Sequence, residues 1–192
     1  CVLAKSYEMI DDSTWEFKLR DDVTWHNGDP FTAADVKYTY ERAATDESLA
    51  ENHIFKVIKE VQIIDDYTVR FATDGPYPTL LSLLSKNGSQ VMPSKYIEEN
   101  GLDYYLEHPI GCGPYQFKEW VKDNVVVLER YDDYFGGTPY WDEVRFRAIP
   151  EASTRVAELL TGNVDIIVNV PTNEWDRINT EENTEMVLGN GT

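Results

Sequence analysis

Basic residues are scarce in this chain: 17 Lys and Arg stand against 35 Asp and Glu in 192 residues, a formal net charge of -18 at pH 7. Affinity for a phosphate backbone comes mainly from cations that displace condensed counterions, so nucleic acid is excluded as a partner. No apolar run reaches the roughly 18 residues that a membrane-spanning helix needs, and no positively charged leader with an apolar core opens the sequence, which predicts a soluble chain. Cysteine is nearly absent. Cys1 and Cys112 form neither a metal pattern nor a disulfide framework. Cys1 would stand first in a lipid-modified chain, but VLAKSYE leads straight into a strand without a Ser/Gly-rich tether, so that reading is set aside.

The signatures of catalysis are missing too. His26, His53 and His108 are the only histidines, and none has a partner at helical i+4 or a cysteine at ligand spacing, so no metal and no cofactor is expected. The acidic pairs Asp21-Asp22, Asp65-Asp66 and Asp132-Asp133 are adjacent in sequence, whereas two carboxylates acting on a glycosidic bond must face each other across the sugar. There is no Gly-x-Ser-x-Gly elbow, phosphate loop or dinucleotide fingerprint; Gly111-Cys112-Gly113 is a tight loop, and Cys112 lacks a base at a readable spacing. The sequence therefore predicts a protein that is not an enzyme.

What the chain does have is apolar content, 42% hydrophobic and 12% aromatic, enough to build a core. Trp15, Phe17 and Leu19 alternate with Glu16, Lys18 and Arg20, the period of a strand with one buried face, and Val23 and Trp25 extend the alternation. His26 then follows beside Trp25, and Asn27-Gly28-Asp29-Pro30 stops the strand. Thr32 and Asp35 make a capping box, with Phe31 and Val36 placed for a hydrophobic staple, so a helix is predicted from Ala33 to about Ala44. VIKEVQII and YTVRFAT read as a second hairpin, Leu80 to Leu84 as a short buried helix, and SKYIEEN as a helix ended by Gly101.

From HPIGCGPY onward the texture changes. YQFKEWV and VVVLER pair across a polar turn, EVRFRAI follows, a helix runs from about Glu151 to Leu160, and VDIIV reads as a central strand buried on both faces. A helix near Asn173 to Ile178 and a last strand, EMVLG, complete an α/β half; the first half is α+β, with the boundary near His108 to Gly113.

Two multi-part blocks carry a resemblance that single residues do not. The stretch VLAKSYEMIDDSTWEFKLRDDVTWHNGDPFTAADVKYTYERA resembles the opening signature of the bacterial extracellular solute-binding proteins of family 5, which serve dipeptide, oligopeptide and nickel ABC importers. The block from PIGCGPY through GNVDII resembles the family's Gly-Thr-Gly-Pro-Tyr loop, valine-rich strand, Tyr-Trp-Gly-Gly segment, Ile-Pro-x-x-x-Thr-Arg helix and Gly-x-x-Asp-Ile strand. A cysteine stands where the family has threonine. The resemblance implies a periplasmic-binding-protein-like fold of two lobes around a cleft, of which this chain is a fragment: a small subdomain at 1–109 and a segment of the main first lobe at 110–192, with the second lobe absent.

It also implies capture of a peptide outside the cytoplasmic membrane, in the periplasm or at a lipid-anchored cell surface, by a monomer that delivers it to ABC permease subunits. The cleft wall is expected from Asn52 and His53, from Asn87, Ser89 and Gln90, and from Gly111, Cys112 and Gly113. Within the family the alternatives are an oligosaccharide or a nickel chelate. Outside it stands a carbohydrate-binding module of a secreted glycosidase, an all-β sandwich that the helix signals at Ala33, Ser94 and Glu151 oppose.

Overall fold

A computed structural model describes residues 2–86 and 88–188. The first sheet is a four-stranded antiparallel layer of β1 (Ala4–Asp11), β2 (Thr14–Leu19), β3 (Ile58–Asp65) and β4 (Thr68–Thr73), ordered β1-β2-β4-β3. The register puts Trp15 opposite Phe71, Phe17 opposite Val69, and Val61 opposite Phe71, so the alternation read from the sequence becomes one apolar face. Cross-strand aromatic and β-branched pairs of this kind stabilise a sheet beyond the area they bury. The opposite face carries Glu16, paired across the strands with Arg70 and held by Lys18 as well. Both edge strands have two register irregularities each, which interrupt the open ladder that would otherwise template a further strand.

Helix α1 (Ala33–Thr45) covers the apolar face over β3 and β4. Its buried Val36 and Tyr40 meet a core in which Phe31, Phe55 and Phe71 are almost wholly enclosed, each worth about 1.5–3 kcal/mol by area removed from water. Short helices α2 (Asn52–Phe55), α3 (Leu80–Leu84), α4 (Ser94–Asn100) and α5 (Leu102–Glu107) follow. Gly101 separates the last two at φ +91°, a conformation side chains rarely adopt.

The second sheet is ordered β5-β6-β7, from β5 (Tyr115–Val121), β6 (Val125–Arg130) and β7 (Glu143–Arg147). Helices α6 (Ala152–Leu160) and α7 (Trp175–Thr180) come after it, the latter preceded by a 3-10 turn at Thr172–Glu174. Two compact units result: Cys1–Lys118 with Leu128–Val144, and Glu119–Val127 with Arg145–Thr192. The first holds the large aromatic core just described. The second encloses Val127, Val156 and Ile178, and Arg155 ties it by donating to the carbonyls of Ile149, Pro150 and Asn169.

Three local expectations need correction. Val23 and Trp25 are buried as the alternation requires, but they do not continue a strand: Thr24 makes one isolated bridge to Pro30, and the Trp25 N–H bonds to Asp29 O within its own turn. VDIIV is not a strand, and Ile166 and Val168 are 80% and 67% exposed. A strand exists only where its backbone groups find a ladder, and no described segment pairs with this one. EMVLG fails for the same reason over 185–188, with Val187 and Leu188 in solvent; its Gly189 lies outside the described residues.

Candidate functional site

The N-terminal end of α1 is organised by one carboxylate. Asp35 Oδ1 accepts from the Ser94 N–H at 2.8 Å and the Ser94 hydroxyl at 2.7 Å, while Oδ2 accepts from the Thr32 N–H at 2.9 Å and the Trp25 indole at 3.2 Å. The capping box read from the sequence is therefore only half of its work. With Asp35 only 4% exposed, these four bonds replace the water that a buried charge would otherwise need, and they join the strand-end turn, α1 and α4 in a single knot. Sequence spacing could find the Thr32 partner three residues away; it could not find Ser94, which is brought near only by the fold.

Beside this knot lies a cleft of about 300 Å³ lined by Trp25, Asn27, Asp29, Asp35, Lys95 and Tyr96 among others. Asp29 and Lys95 close its rim as an ion pair at 2.6 Å, and the Lys95 bond holds the Asp29 carboxyl below the usual carboxylate range. None of the seven expected wall residues that are described lines it.

Those seven fall into two groups at opposite ends of α1. At its C-terminal end, Asn52 donates to the free carbonyls of Ala43 and Ala44 at 3.1 and 3.0 Å, capping the helix, and the exposed His53 donates through Nδ1 to Ala50 O at 2.8 Å. Ser89 packs nearby: its carbonyl receives the Tyr40 hydroxyl at 2.8 Å, and its own hydroxyl donates to Leu84 O and Lys86 O. Gln90 accepts from the Gly88 N–H at 3.0 Å. A side chain at Gly88, which sits at φ +89°, would come within 3.2 Å of the Glu51 side chain, so the 88–90 loop lies directly against the segment bearing Asn52 and His53. Asn87 belongs to the same loop but lies outside the described residues.

Gly111, Cys112 and Gly113 sit at the other end, roughly 20 Å away by the rise of a 13-residue helix. Here the segment meets His26. The ring packs edge-on to Tyr131 at 4.8 Å and bonds the backbone of Gly111 and Gly113. Tyr131 is itself fixed, its hydroxyl 2.8 Å from Thr24 Oγ1. In the loop that follows it, a side chain on Gly136 would collide with the Tyr134 ring. Burial pushes the Cys112 thiol up to about 11, with the Asp35 charge adding to the shift, so the thiolate needed for nucleophilic work is not formed at neutral pH. Among the described residues no three His, Cys, Asp or Glu side chains converge to hold a metal ion.

The bonds described for Asn52, His53, Ser89 and His26 run to backbone groups and so fix the shapes of the loops they join. The sequence matches the family of bacterial extracellular solute-binding proteins, family 5 (middle region), over residues 2–192. The chain belongs to that family. It is 32% identical to the oligopeptide-binding protein AppA of Bacillus subtilis over 194 residues, covering 96% of this chain and 35% of AppA. The glutathione-binding protein GsiB of Salmonella paratyphi A is 29% identical, with 97% of this chain and 37% of GsiB covered.

Solved structures agree. NikZ of Campylobacter jejuni in complex with Ni(L-His) superposes with a TM-score of 0.86 at 29% identity, over 94% of this chain and 37% of NikZ. AppA in complex with a nonapeptide gives 0.83 at 29% identity, over the same shares. The chain thus spans about a third of the length of the curated relatives it matches, and its mixed helix and strand fold is that of part of a two-lobed solute-binding protein. Members of the family are extracytoplasmic binding proteins rather than enzymes. No described helix is long and apolar enough to cross a membrane.

Proposed function

We propose that this chain forms part of the first lobe of the substrate-binding component of an ABC importer, which captures peptides outside the cytoplasmic membrane and delivers them to the permease subunits. The observation that carries the reading is likeness over nearly the whole chain to AppA, both in sequence and in the fold of its nonapeptide complex. Fold alone does not choose the ligand, since NikZ is at least as similar. Sequence tips the choice toward peptides, because AppA is oligopeptide-binding and the glutathione bound by GsiB is itself a tripeptide.

In this reading 1–109 is the small subdomain and 110–192 a segment of the main lobe. The exposed Ile166, Val168, Val187 and Leu188 are faces that the rest of a longer chain covers. The ligand meets the wall at Asn52, His53, Asn87, Ser89 and Gln90 on one side and at Gly111 to Gly113 on the other. Extended peptides are held through their main chain, and closure of the lobes excludes water without any chemical step. The protein acts as a monomer, at the cell surface by a lipid anchor or free in a periplasm. Calorimetric titration of dipeptides, tetrapeptides, Ni(II)-histidine and cello-oligosaccharides into a two-lobed protein carrying this chain tests the assignment. Peptide binding alone is the expected result; saturable binding of the nickel chelate or the sugar, without peptide binding, would replace it.

A further inference from the structure

The surroundings of His26 give it a specific task. Nδ1 lies 3.0 Å from the Gly111 amide nitrogen, which can only donate, and Nε2 lies 3.0 Å from the Gly113 carbonyl, which can only accept. Nδ1 must therefore carry the lone pair and Nε2 the proton. The His26 N–H adds a third bond, to Gly111 O at 2.8 Å. The fit is close, since a side chain on Gly111 would come within 3.3 Å of His26 Cε1, and the Tyr131 ring closes the imidazole's flank.

We infer that His26 is a positioning residue for the 111–113 segment: the neutral ring with its proton on Nε2 matches the segment's donor and acceptor, and the imidazolium, with a second N–H aimed at the Gly111 N–H, does not. The inference bears on binding only through the reading that this segment belongs to the cleft wall. The titratable groups on the elements packed against the ring are the Tyr131 hydroxyl, tied to Thr24, and the Cys112 thiol, which stays protonated. On its own turn the Asp29 carboxylate is engaged by Asn27 and Lys95, and among the described residues no carboxylate bonds the ring. A proton on Nδ1 thus finds no acceptor in place. Burial accordingly lowers the His26 pKa, the Gly113 bond offsetting part of that effect.

The sign follows by linkage. With the folded value below the unfolded one, the neutral ring's contribution is complete above about pH 6.5 and is lost as pH falls through the lowered folded value. The test is made on this chain without any ligand, so its failure and the failure of the binding assignment are separate results. Nitrogen-resolved NMR of the ring reports tautomer and titration directly, and amide exchange at Gly111, corrected for the intrinsic rate, reports the segment. At neutral pH the ring should show an unprotonated Nδ1, and Gly111 protection should fall by up to about tenfold per pH unit once the ring titrates. His26→Asn keeps an acceptor near the Nδ1 position and cannot titrate, so its Gly111 protection should stay flat over the same range, whereas a merely structural histidine would give parallel profiles. A proton on Nδ1 at neutral pH, or an equal pH-dependent loss in His26→Asn, would overturn the inference. The ring spectrum of the wild-type chain decides the first point even if the variant does not fold.

Discussion

The two compact units were built from equally apolar sequence and came out differently. The first closes a helix over four paired strands and buries Trp15, Phe17, Phe31, Phe55 and Phe71 in one core. The second, among its described residues, encloses Val127, Val156 and Ile178 and leaves Ile166, Val168, Val187 and Leu188 in solvent. Hydrophobic pattern says which residues want cover; only a neighbouring ladder or helix supplies it, and in the second unit that neighbour is not among the described residues. The family comparison fits this contrast, since the chain spans about a third of its relatives.

Removing the Asp35 carboxylate should break the contrast most severely. Asp35→Ala strands the Trp25, Thr32 and Ser94 donors in a buried site, and a loss of about 3–5 kcal/mol is expected for the first unit, read from the urea midpoint. Asp35→Asn, which keeps acceptor capacity on one atom, should cost less. Phe71→Ala, which opens a cavity between α1 and the sheet, should cost about 3–5 kcal/mol as well, with no change in amide exchange at α6. In the wild-type chain, amides of β2, β4 and α1 should exchange only by global unfolding, while those of α6 and α7 open locally and earlier. Equal protection in both sets would remove the difference between the units.

Smaller effects sharpen the same picture. Arg155→Ala deletes three bonds to the carbonyls of Ile149, Pro150 and Asn169, and should raise exchange over 149–170 without moving the first unit's midpoint. Lys95→Met is expected to change no midpoint measurably, because the Asp29 pair is at the surface, where screening and side-chain entropy cancel most of the attraction. Any small difference from the wild type should lie above the unfolded carboxylate value and vanish in acid. Asp29 is held below its ordinary pKa, so its contribution is present above the unfolded value and is lost as pH falls, and the variant should shorten that loss.

Much of the fold was legible where local signals and burial agree. The strand alternation from Trp15 to Leu19, the capping box at Thr32 and Asp35, the β3–β4 hairpin and the Gly101 stop all appear within a residue or two of expectation. VDIIV and EMVLG misled because a short apolar run specifies burial and leaves backbone pairing open. Site residues were harder still. Ser94 reaches Asp35 from 59 residues away and Gly111 reaches His26 from 85, and nothing in the composition of either segment announces its partner. The expectation of a cleft wall came from family resemblance alone; among its described residues, Asn52 bonds at the C-terminal end of α1 while Gly111 meets His26 near the other end.

The measurement that bears most directly on the central claim is calorimetric titration of a tetrapeptide library into this 192-residue chain alone and into a two-lobed protein that contains it. The account predicts dissociation constants of about micromolar or tighter for the two-lobed protein and weaker than about 1 mM for the chain alone, because a single wall gives the peptide main chain half its partners and excludes no water. Tight, saturable binding of a cello-oligosaccharide by the chain alone, with no peptide binding by the two-lobed protein, would contradict it and return the aromatic strands to the role of a carbohydrate module.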